Sequence, residues 1–351
     1  MPLPTKPFPS QWDGNVYGLT AIGQGGAAIV FSVDEYRAIK VPIPSAFGLQ
    51  AIAQEREIYR RFMEQSESAY VIACYDPKHG SGVLLEKCVG SVRDRLRQMH
   101  QRDNGYPLVG SEDALALAGR WAYQAAQGLA YIHSHGVIQA DDAKVGCHNM
   151  LLDRHGNLKL ADFSGSSIEN TYRALVTYDL RSRLSNFGEP DKASDLFALG
   201  CAIYEMATGH LPYHYLPSKQ VQQKLFRKVF PSLEHLERRA PEIAEAIRGC
   251  WNVKAQDGFK CAEDVVRVLD IRYNTTQHQA DISANVEEMD TVPHKKGRPV
   301  LTTKPIRSPK SRNNEEKRRH HRSKGRREDK SSKHTWQDRV FSMCGFLPFR
   351  K

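Results

Sequence analysis

One stretch of the chain, residues 131–165, constrains the fold more than any other. The adjacent acids Asp141 and Asp142 follow an apolar helical pattern, and Asn149 precedes two short apolar runs that a turn joins. Asp162 comes two residues after the second run. This order predicts a β-hairpin with an acidic loop on each side, which forms a cleft lined by carboxylate and amide oxygens.

Such a cleft suits phosphoryl transfer. One aspartate takes the proton of an attacking hydroxyl, while an asparagine oxygen and a second aspartate hold Mg²⁺, which prefers oxygen ligands. Residues 139–141 read Q-A-D, Asn149 follows, and residues 162–164 read D-F-S. The stretch resembles the catalytic loop of eukaryotic protein kinases, H-R-D-x-x-x-x-N, and the D-F-G motif after it. The resemblance implies that Asn149 and Asp162 are the metal ligands.

The catalytic loop is longer than the family motif. Seven residues separate Asp141 from Asn149, where the motif has four. We favour Asp141 as the catalytic base, because the preceding helix and strand fix its position. Asp142 is an alternative, since together with Lys144 it repeats the D-x-K spacing of Ser/Thr kinases. Counting back from Asn149 instead places Lys144 at the base position, and a lysine with an ordinary pKa of about 10.4 cannot accept the proton.

A glycine-rich turn lies near the N-terminus. Residues 23–30 read G-Q-G-G-A-A-I-V between two strand patterns. They resemble the kinase glycine-rich loop G-x-G-x-x-G-x-V, with alanine in the third glycine place. The resemblance implies that this loop covers the phosphates of ATP, because glycines let backbone N–H groups approach an anion. Its candidate cofactor-binding residues are Gly23, Gly25, Gly26 and Val30.

A strand lysine and a helix glutamate follow the glycine-rich turn. The sequence R-A-I-K that ends at Lys40 is similar to the family's V-A-I-K, so Lys40 is expected to contact the α- and β-phosphates and Ala38 to border the nucleotide. A helical pattern covers residues 47–63. It places Glu55 where the family carries the glutamate that pairs with the lysine, with Glu57 as the rival partner.

The next strand pattern, residues 83–88, runs into a hinge. By resemblance, Leu85 is the gatekeeper of the nucleotide pocket. The backbone groups of Glu86 and Cys88 are expected to form hydrogen bonds with the adenine edge. A plain core strand reads the same way, so this assignment rests on the order of the motifs alone.

The rest of the predicted domain is helical. A helix over residues 111–135 carries one apolar stripe and leads to the catalytic loop. Residues 194–200 read S-D-L-F-A-L-G, which resembles the start of the central helix of the large kinase lobe. We expect Asp195 to cap that helix and to accept hydrogen bonds from the catalytic-loop backbone. Two more amphipathic helices are predicted over residues 240–251 and 262–271.

These patterns predict an α+β, bilobal, protein kinase-like fold. Residues 16–273 form the kinase domain, with a small β-rich N-lobe over 16–86 and a larger helical C-lobe over 90–273. Residues 1–15 are expected to be a flexible N-terminus. The chain has 351 residues and 40% hydrophobic content, enough for such a domain and its core.

Residues 274–351 are predicted to be a disordered basic tail. Residues 273–351 carry the whole net charge of +10, so the tail is expected to contact polyanions such as nucleic acid or an acidic membrane surface. No apolar run approaches the roughly 20 residues of a transmembrane segment. Seven cysteines without C-x-x-C spacing suggest reduced thiols, and hence an intracellular protein of the cytoplasm, the nucleus or both.

We therefore expect a protein kinase that uses ATP and Mg²⁺ to phosphorylate hydroxyl groups of a protein substrate, with Ser/Thr favoured and Tyr left open as the alternative. The longer catalytic loop keeps a second hypothesis open, that of an inactive pseudokinase serving as a nucleotide-binding scaffold. A small-molecule phosphotransferase is a third hypothesis, and the run at residues 194–200 argues against it.

Overall fold

The computed structural model describes residues 16–64, 67–78, 80, 82–102, 111–139, 145–169 and 191–273. Asp141 and Asp142 lie outside the described residues, as do the N-terminal segment 1–15 and the tail 274–351. What the sequence predicts for them stays a prediction.

The N-lobe is built on an antiparallel sheet of five strands, β1 (Thr20–Gln24), β2 (Ala28–Ser32), β3 (Arg37–Pro42), β4 (Cys74–Asp76) and β5 (Val83–Glu86). The strands lie in the order β1-β2-β3-β5-β4. The register pairs Lys40 with Val30 on one side and with Val83 on the other. The glycine-rich turn between β1 and β2 therefore leads into β2, which pairs directly with the strand that carries Lys40.

One helix, α1 (Ala46–Met63), packs against β3 of this sheet. Ser45 caps its first turn, because the Ser45 hydroxyl accepts a 3.0 Å hydrogen bond from the Gly48 N–H. The apolar positions that the sequence predicted on one face are all buried, namely Ile52, Ile58, Tyr59 and Phe62. Glu55 is buried as well, one turn before Ile58 and Tyr59.

The C-lobe is mainly helical, with α2 (Val92–Arg102), α3 (Glu112–Ser134), α4 (Lys192–Thr208), α5 (Ser218–Phe226), α6 (Glu234–Arg239), α7 (Pro241–Trp251) and α8 (Ala262–Tyr273). The predicted apolar stripe of α3 is buried throughout. α4 packs against α3 and α7, and Gly200 permits the second contact, since a Cβ there would lie 2.6 Å from Cys250 Cβ. No helix in the described part of the chain is long and apolar enough to cross a membrane.

The start of α4 differs from the sequence prediction. Asp191 is the N-cap, with its carboxylate accepting a 2.8 Å bond from the Ser194 N–H, while the Ser194 hydroxyl accepts one from the Asp191 N–H. The prediction that Asp195 caps this helix was wrong, because the helix begins one turn earlier. Asp195 instead points inward and is fully buried.

Five short strands complete the described part of the C-lobe: β6 (Gly90–Ser91), β7 (Val137–Ile138), β8 (Met150–Leu152), β9 (Leu158–Leu160) and β10 (Ser167–Ile168). They form a sheet in the order β6-β8-β9 and a separate β7-β10 pair. The predicted β8–β9 hairpin is confirmed, and Asp153 closes its turn by accepting 2.8 Å bonds from the His155 and Asn157 N–H groups. The catalytic loop therefore lies between β7 and β8, and Asp162 follows β9.

Three histidines stack where the C-terminal end of α2 meets the segment after α4; we call them the histidine stack. Ring centroids lie 4.9 Å apart for His100 and His210 and 4.1 Å apart for His210 and His214. Burial, then His214 and His100, hold the pKa of His210 below its ordinary value, and Glu205 opposes them only in part. Glu205 is itself paired with Arg93, through contacts of 2.6 and 2.7 Å.

Candidate active site

A buried ammonium group at the lobe interface is the centre of the site. Lys40 Nζ on β3 lies 2.7 Å from Glu55 Oε2 on α1 and also donates a hydrogen bond to Asp162 Oδ1 after β9. Glu55 is fully buried and Lys40 nearly so. The alternative partner, Glu57, instead binds Arg60 on its own helix, with Arg60 Nε 2.9 Å from Glu57 Oε2.

The charges in this cluster are complementary. Burial alone would lower the pKa of Lys40, but the carboxylates of Asp162 and Glu55 together outweigh it and raise that pKa above its ordinary value. The ammonium group therefore stays charged at neutral pH. A fixed, desolvated positive charge of this kind is suited to binding phosphate oxygens.

Asp162 occupies an uncommon backbone conformation. Its φ is 60°, in the left-handed region that few residues other than glycine adopt, although aspartate tolerates it better than most. The Ser164 hydroxyl donates a 2.5 Å hydrogen bond to Asp162 Oδ1, the same oxygen that accepts from Lys40. The carboxylate is thus held by contacts on both sides of the cleft.

Phe163 connects this segment to α1. Its ring is fully buried and packs edge-on against Tyr59 and Phe62, at centroid distances of 5.5 and 5.4 Å. The Phe163 N–H donates a 3.2 Å bond to Glu55 Oε1. One face of α1 therefore positions both the partner of Lys40 and the residue that follows Asp162.

Gln139 stands where the family motif has histidine, and it is fully buried. Its side-chain amide donates a 2.9 Å bond to the Ala161 carbonyl, and its backbone N–H donates a 2.8 Å bond to Asp195 Oδ2. His133 Nε2 lies 2.9 Å from the same Asp195 oxygen. The predicted bond from the start of the catalytic loop to Asp195 is therefore confirmed.

Asn149 lies beside the Asp162 segment. The Ala161 N–H donates a 3.2 Å bond to the Asn149 carbonyl, and β8 and β9 pair immediately after and before these two residues. The structure thus brings Asn149 and Asp162 to the same edge of the cleft. The two proposed bases, Asp141 and Asp142, lie outside the described residues.

The glycine-rich turn forms the predicted hairpin. Gly23 pairs with Val30 across β1 and β2, and the Gly25 N–H donates a 2.9 Å bond to the Ala28 carbonyl. A Cβ added at Gly25 or Gly26 would meet no atom within 4 Å, so the tip of the turn has open space around it. This space leaves room for a ligand against the backbone.

The hinge side of the cleft is closely packed. Leu85 is buried on β5 opposite Ala38 on β3. Glu86 accepts a 2.9 Å contact from Lys159 Nζ, so its side chain points to β9 while its backbone continues into the hinge. Burial raises the pKa of the half-buried Cys88 thiol to about 12, which makes it a poor nucleophile.

One contact between the lobes carried no sequence signal. Arg154, in the β8–β9 turn, lies 2.9 Å from Glu35 Oε1 through Nη1, and its guanidinium group stacks 3.9 Å from the ring centroid of Tyr36. The Lys87 N–H in the hinge donates a 2.8 Å bond to the Tyr36 carbonyl. The β2–β3 turn is therefore fastened to both the hinge and the C-lobe.

The residues present fit ATP with Mg²⁺. The Lys40 ammonium group contacts Asp162, the Asn149 backbone is bonded to the residue before Asp162, and the glycine-rich turn has open space at its tip. Within the described ranges, no group of three or more His, Cys, Asp or Glu side chains could hold a metal ion alone.

Comparison with known proteins agrees with this geometry. The sequence matches the family model described as "Protein kinase domain" over residues 18–266. It is 29% identical to Serine/threonine-protein kinase TAO3 of Gallus gallus over 233 residues, which cover 63% of this chain and 24% of that protein. It is 30% identical to Serine/threonine-protein kinase 4 homolog B of Dictyostelium discoideum over 246 residues, which cover 65% of this chain and 20% of that protein. The chain thus spans a quarter or less of the length of these relatives.

Proposed function

Since the chain belongs to the protein kinase family, we propose that it is an ATP- and Mg²⁺-dependent kinase that phosphorylates serine and threonine hydroxyls of a protein substrate. The observation that carries this proposal is the buried cluster of Lys40, Glu55 and Asp162. Its three members come from β3, α1 and the segment after β9, and they meet within one network of ion pairs. The two relatives named above are serine/threonine-protein kinases, which supports the choice of hydroxyl.

Each residue has a distinct role in this proposal. Lys40 binds the α- and β-phosphates, and Glu55 keeps its ammonium group in place. Asn149 and Asp162 hold Mg²⁺, which when bound neutralises charge on the phosphate oxygens. Asp141 takes the proton of the substrate hydroxyl while the hydroxyl oxygen bonds to the γ-phosphorus and ADP leaves.

The remaining nucleotide contacts are assigned from the resemblance to the kinase family motifs. The glycine-rich turn covers the phosphates, while the gatekeeper and hinge border the adenine. In this arrangement the Glu86 carbonyl and the Cys88 N–H form hydrogen bonds with the base. The residues assigned to the nucleotide in this way are Gly23, Gly25, Gly26, Val30, Ala38, Leu85, Glu86 and Cys88.

A nucleotide-binding scaffold without transfer activity is the second candidate. The observation that favours it is the length of the catalytic loop, with seven residues between Asp141 and Asn149. If the extra residues bring Lys144 to the base position, the ammonium group cannot accept a proton. Nucleotide binding would then survive, because Lys40, Glu55 and Asp162 come from β3, α1 and the segment after β9 and bind one another.

The basic tail is assigned a separate role. We propose that residues 274–351 contact polyanions and that the protein acts inside the cell, in the cytoplasm, the nucleus or both. The excess of positive charge in this segment supports the first part. Two assays would compare the full chain with a chain that ends at residue 273. One measures the shift in electrophoretic mobility of a DNA duplex, and the other measures protein that sediments with phosphatidylserine vesicles. Equal binding by the two chains would refute a tail contact.

Phosphate transfer from labelled ATP to a generic basic protein tests the kinase proposal. We expect transfer by the full chain with Mg²⁺, and its loss in Lys40→Ala. The control is Lys219→Ala, since Lys219 is an exposed lysine of α5 far from the described cluster in sequence. Wild-type protein that binds ADP with Mg²⁺ but transfers no phosphate would refute the kinase proposal and favour the scaffold.

The identity of the base is tested within the same assay. Activity that survives Asp142→Asn but not Asp141→Asn supports Asp141, and the reverse pattern transfers the role to Asp142. Deletion of residues 142–144 restores the family spacing. If Asp141 is the base, this shortened chain keeps or gains activity, whereas loss of activity would show that the inserted residues are needed.

A further inference from the structure

Ser164 replaces the glycine of the family's D-F-G motif, and its hydroxyl makes a contact that glycine cannot make. Ser164 is 5% exposed, and its Oγ donates a 2.5 Å hydrogen bond to Asp162 Oδ1. Lys40 donates to the same oxygen. One oxygen of the proposed metal ligand is therefore held by two donors, one from each side of the cleft.

The backbone shows that serine fits here without strain. Among the described non-glycine residues, positive φ values occur at Asp162, Tyr213 and Lys228, and not at Ser164. The left-handed turn that follows falls on Gly165, which has a φ of 93°. The position thus has no conformational need for glycine, and its hydroxyl contacts the carboxylate two residues earlier.

The Asp162 carboxylate is oriented by its side-chain contacts. Lys40 and Ser164 both donate to Oδ1. Hydrogen bonds to an ionised acceptor are among the strongest in proteins. Fixing the carboxylate before the ligand arrives lowers the conformational entropy that binding must offset.

We propose that Ser164 is a positioning residue, whose hydroxyl holds Asp162 Oδ1 towards Lys40 and thereby orients the carboxylate for Mg²⁺-dependent nucleotide binding. This inference rests on the proposed function only in that Asp162 is a metal ligand; it does not require phosphate transfer. It assigns a role to a residue at which the sequence departs from the family motif.

A neighbouring serine provides a matched control. Ser166 is fully buried two residues further on, and its hydroxyl donates a 3.3 Å bond to the Gln139 carbonyl rather than to Asp162. Ser164→Ala and Ser166→Ala both remove one buried hydroxyl from the same segment. Only the first removes a contact with the proposed metal ligand.

The test measures binding of ADP to the full chain by calorimetry, once with MgCl₂ and once with EDTA. We expect Ser164→Ala to weaken ADP binding about tenfold with Mg²⁺, the effect of losing one favourable hydrogen bond, and less than about twofold in EDTA. Ser166→Ala keeps the wild-type Mg²⁺ dependence. Ser164→Gly behaves like the alanine variant, while Ser164→Thr, which retains the hydroxyl, recovers the Mg²⁺ dependence.

Three results would overturn the inference. The first is wild-type Mg²⁺ dependence in Ser164→Ala and Ser164→Gly. The second is an equal loss of ADP affinity with and without Mg²⁺, which would mean that the hydroxyl only supports packing. The third is a wild-type chain that binds ADP in neither condition, and this result alone would also remove the proposed function.

Discussion

Replacing Asp195 with alanine tests how the catalytic loop is attached to the core. Asp195 is fully buried at the start of α4, and its Oδ2 accepts a 2.8 Å bond from the Gln139 N–H and lies 2.9 Å from His133 Nε2. Asp195→Ala leaves both of these donors without their acceptor in a site closed to water. The start of the catalytic loop then loses its link to the central helix.

The expected magnitude follows from these two contacts. A hydrogen bond to a charged group contributes about 1.5–3 kcal/mol, and an unpaired buried donor costs a similar amount. Asp195→Ala should therefore lower the free energy of unfolding by about 3–6 kcal/mol. This is a large part of the about 5–15 kcal/mol that stabilises a typical domain.

Asp191 provides the matched comparison four residues earlier. It is an exposed aspartate that caps the same helix, and its loss should cost about 1 kcal/mol. Urea denaturation followed by tryptophan fluorescence measures both variants, and we expect Asp195→Ala to have much the lower midpoint at an unchanged slope. If Asp195→Ala were no less stable than Asp191→Ala, the two bonds would not anchor the loop as argued.

Three further predictions concern the lobes and the histidine stack. Glu55→Gln should weaken ATP binding, measured as a higher KM, whereas Glu57→Gln should leave it unchanged. Arg154→Ala should speed the release of a fluorescent nucleotide, because it removes a contact between the lobes. The free energy of unfolding should change by less than about 1 kcal/mol, since the ion pair of Arg154 is exposed. Arg238→Ala breaks an exposed ion pair within α6 and should change neither the release rate nor the stability. Because burial and its neighbours lower the pKa of His210, the unfolded chain binds its proton first. The free energy of unfolding should therefore fall as pH drops below about 6.5, and it should fall less in His210→Gln. Denaturation midpoints of both proteins at pH about 7.5 and about 5.5 measure this. An equal loss of stability in wild type and variant would contradict it.

Periodicity and motif order were enough to predict the core of the site. The spacing of apolar residues on α1 placed Glu55 one turn before two apolar positions, and the resemblance to the kinase family implied its pairing with Lys40. The same reasoning predicted the β8–β9 hairpin and the buried stripe of α3. These features depend on residues close together in the chain or on elements whose order the family motif defines.

Contacts between distant segments that the family motifs do not define were not predictable in this way. Arg154 meets Glu35 across 119 positions, and no local pattern links a turn in one lobe to a turn in the other. The Ser164 contact depends on a rotamer and on the left-handed φ of Asp162, which single-residue motif matching does not describe. The capping box at Asp191 had a local signal, an aspartate three residues before a serine, that was assigned to the wrong turn.

The rate of phosphate transfer in a single turnover, compared between wild type and Asp141→Asn, shows whether the protein is a kinase with Asp141 as its base. Both proteins would be saturated with ATP and Mg²⁺, so that a change in nucleotide affinity does not enter the rate. We expect transfer by wild type and a loss of at least about 100-fold in the variant, as when a general base is removed. Equal rates in the two proteins would show that Asp141 is not the base.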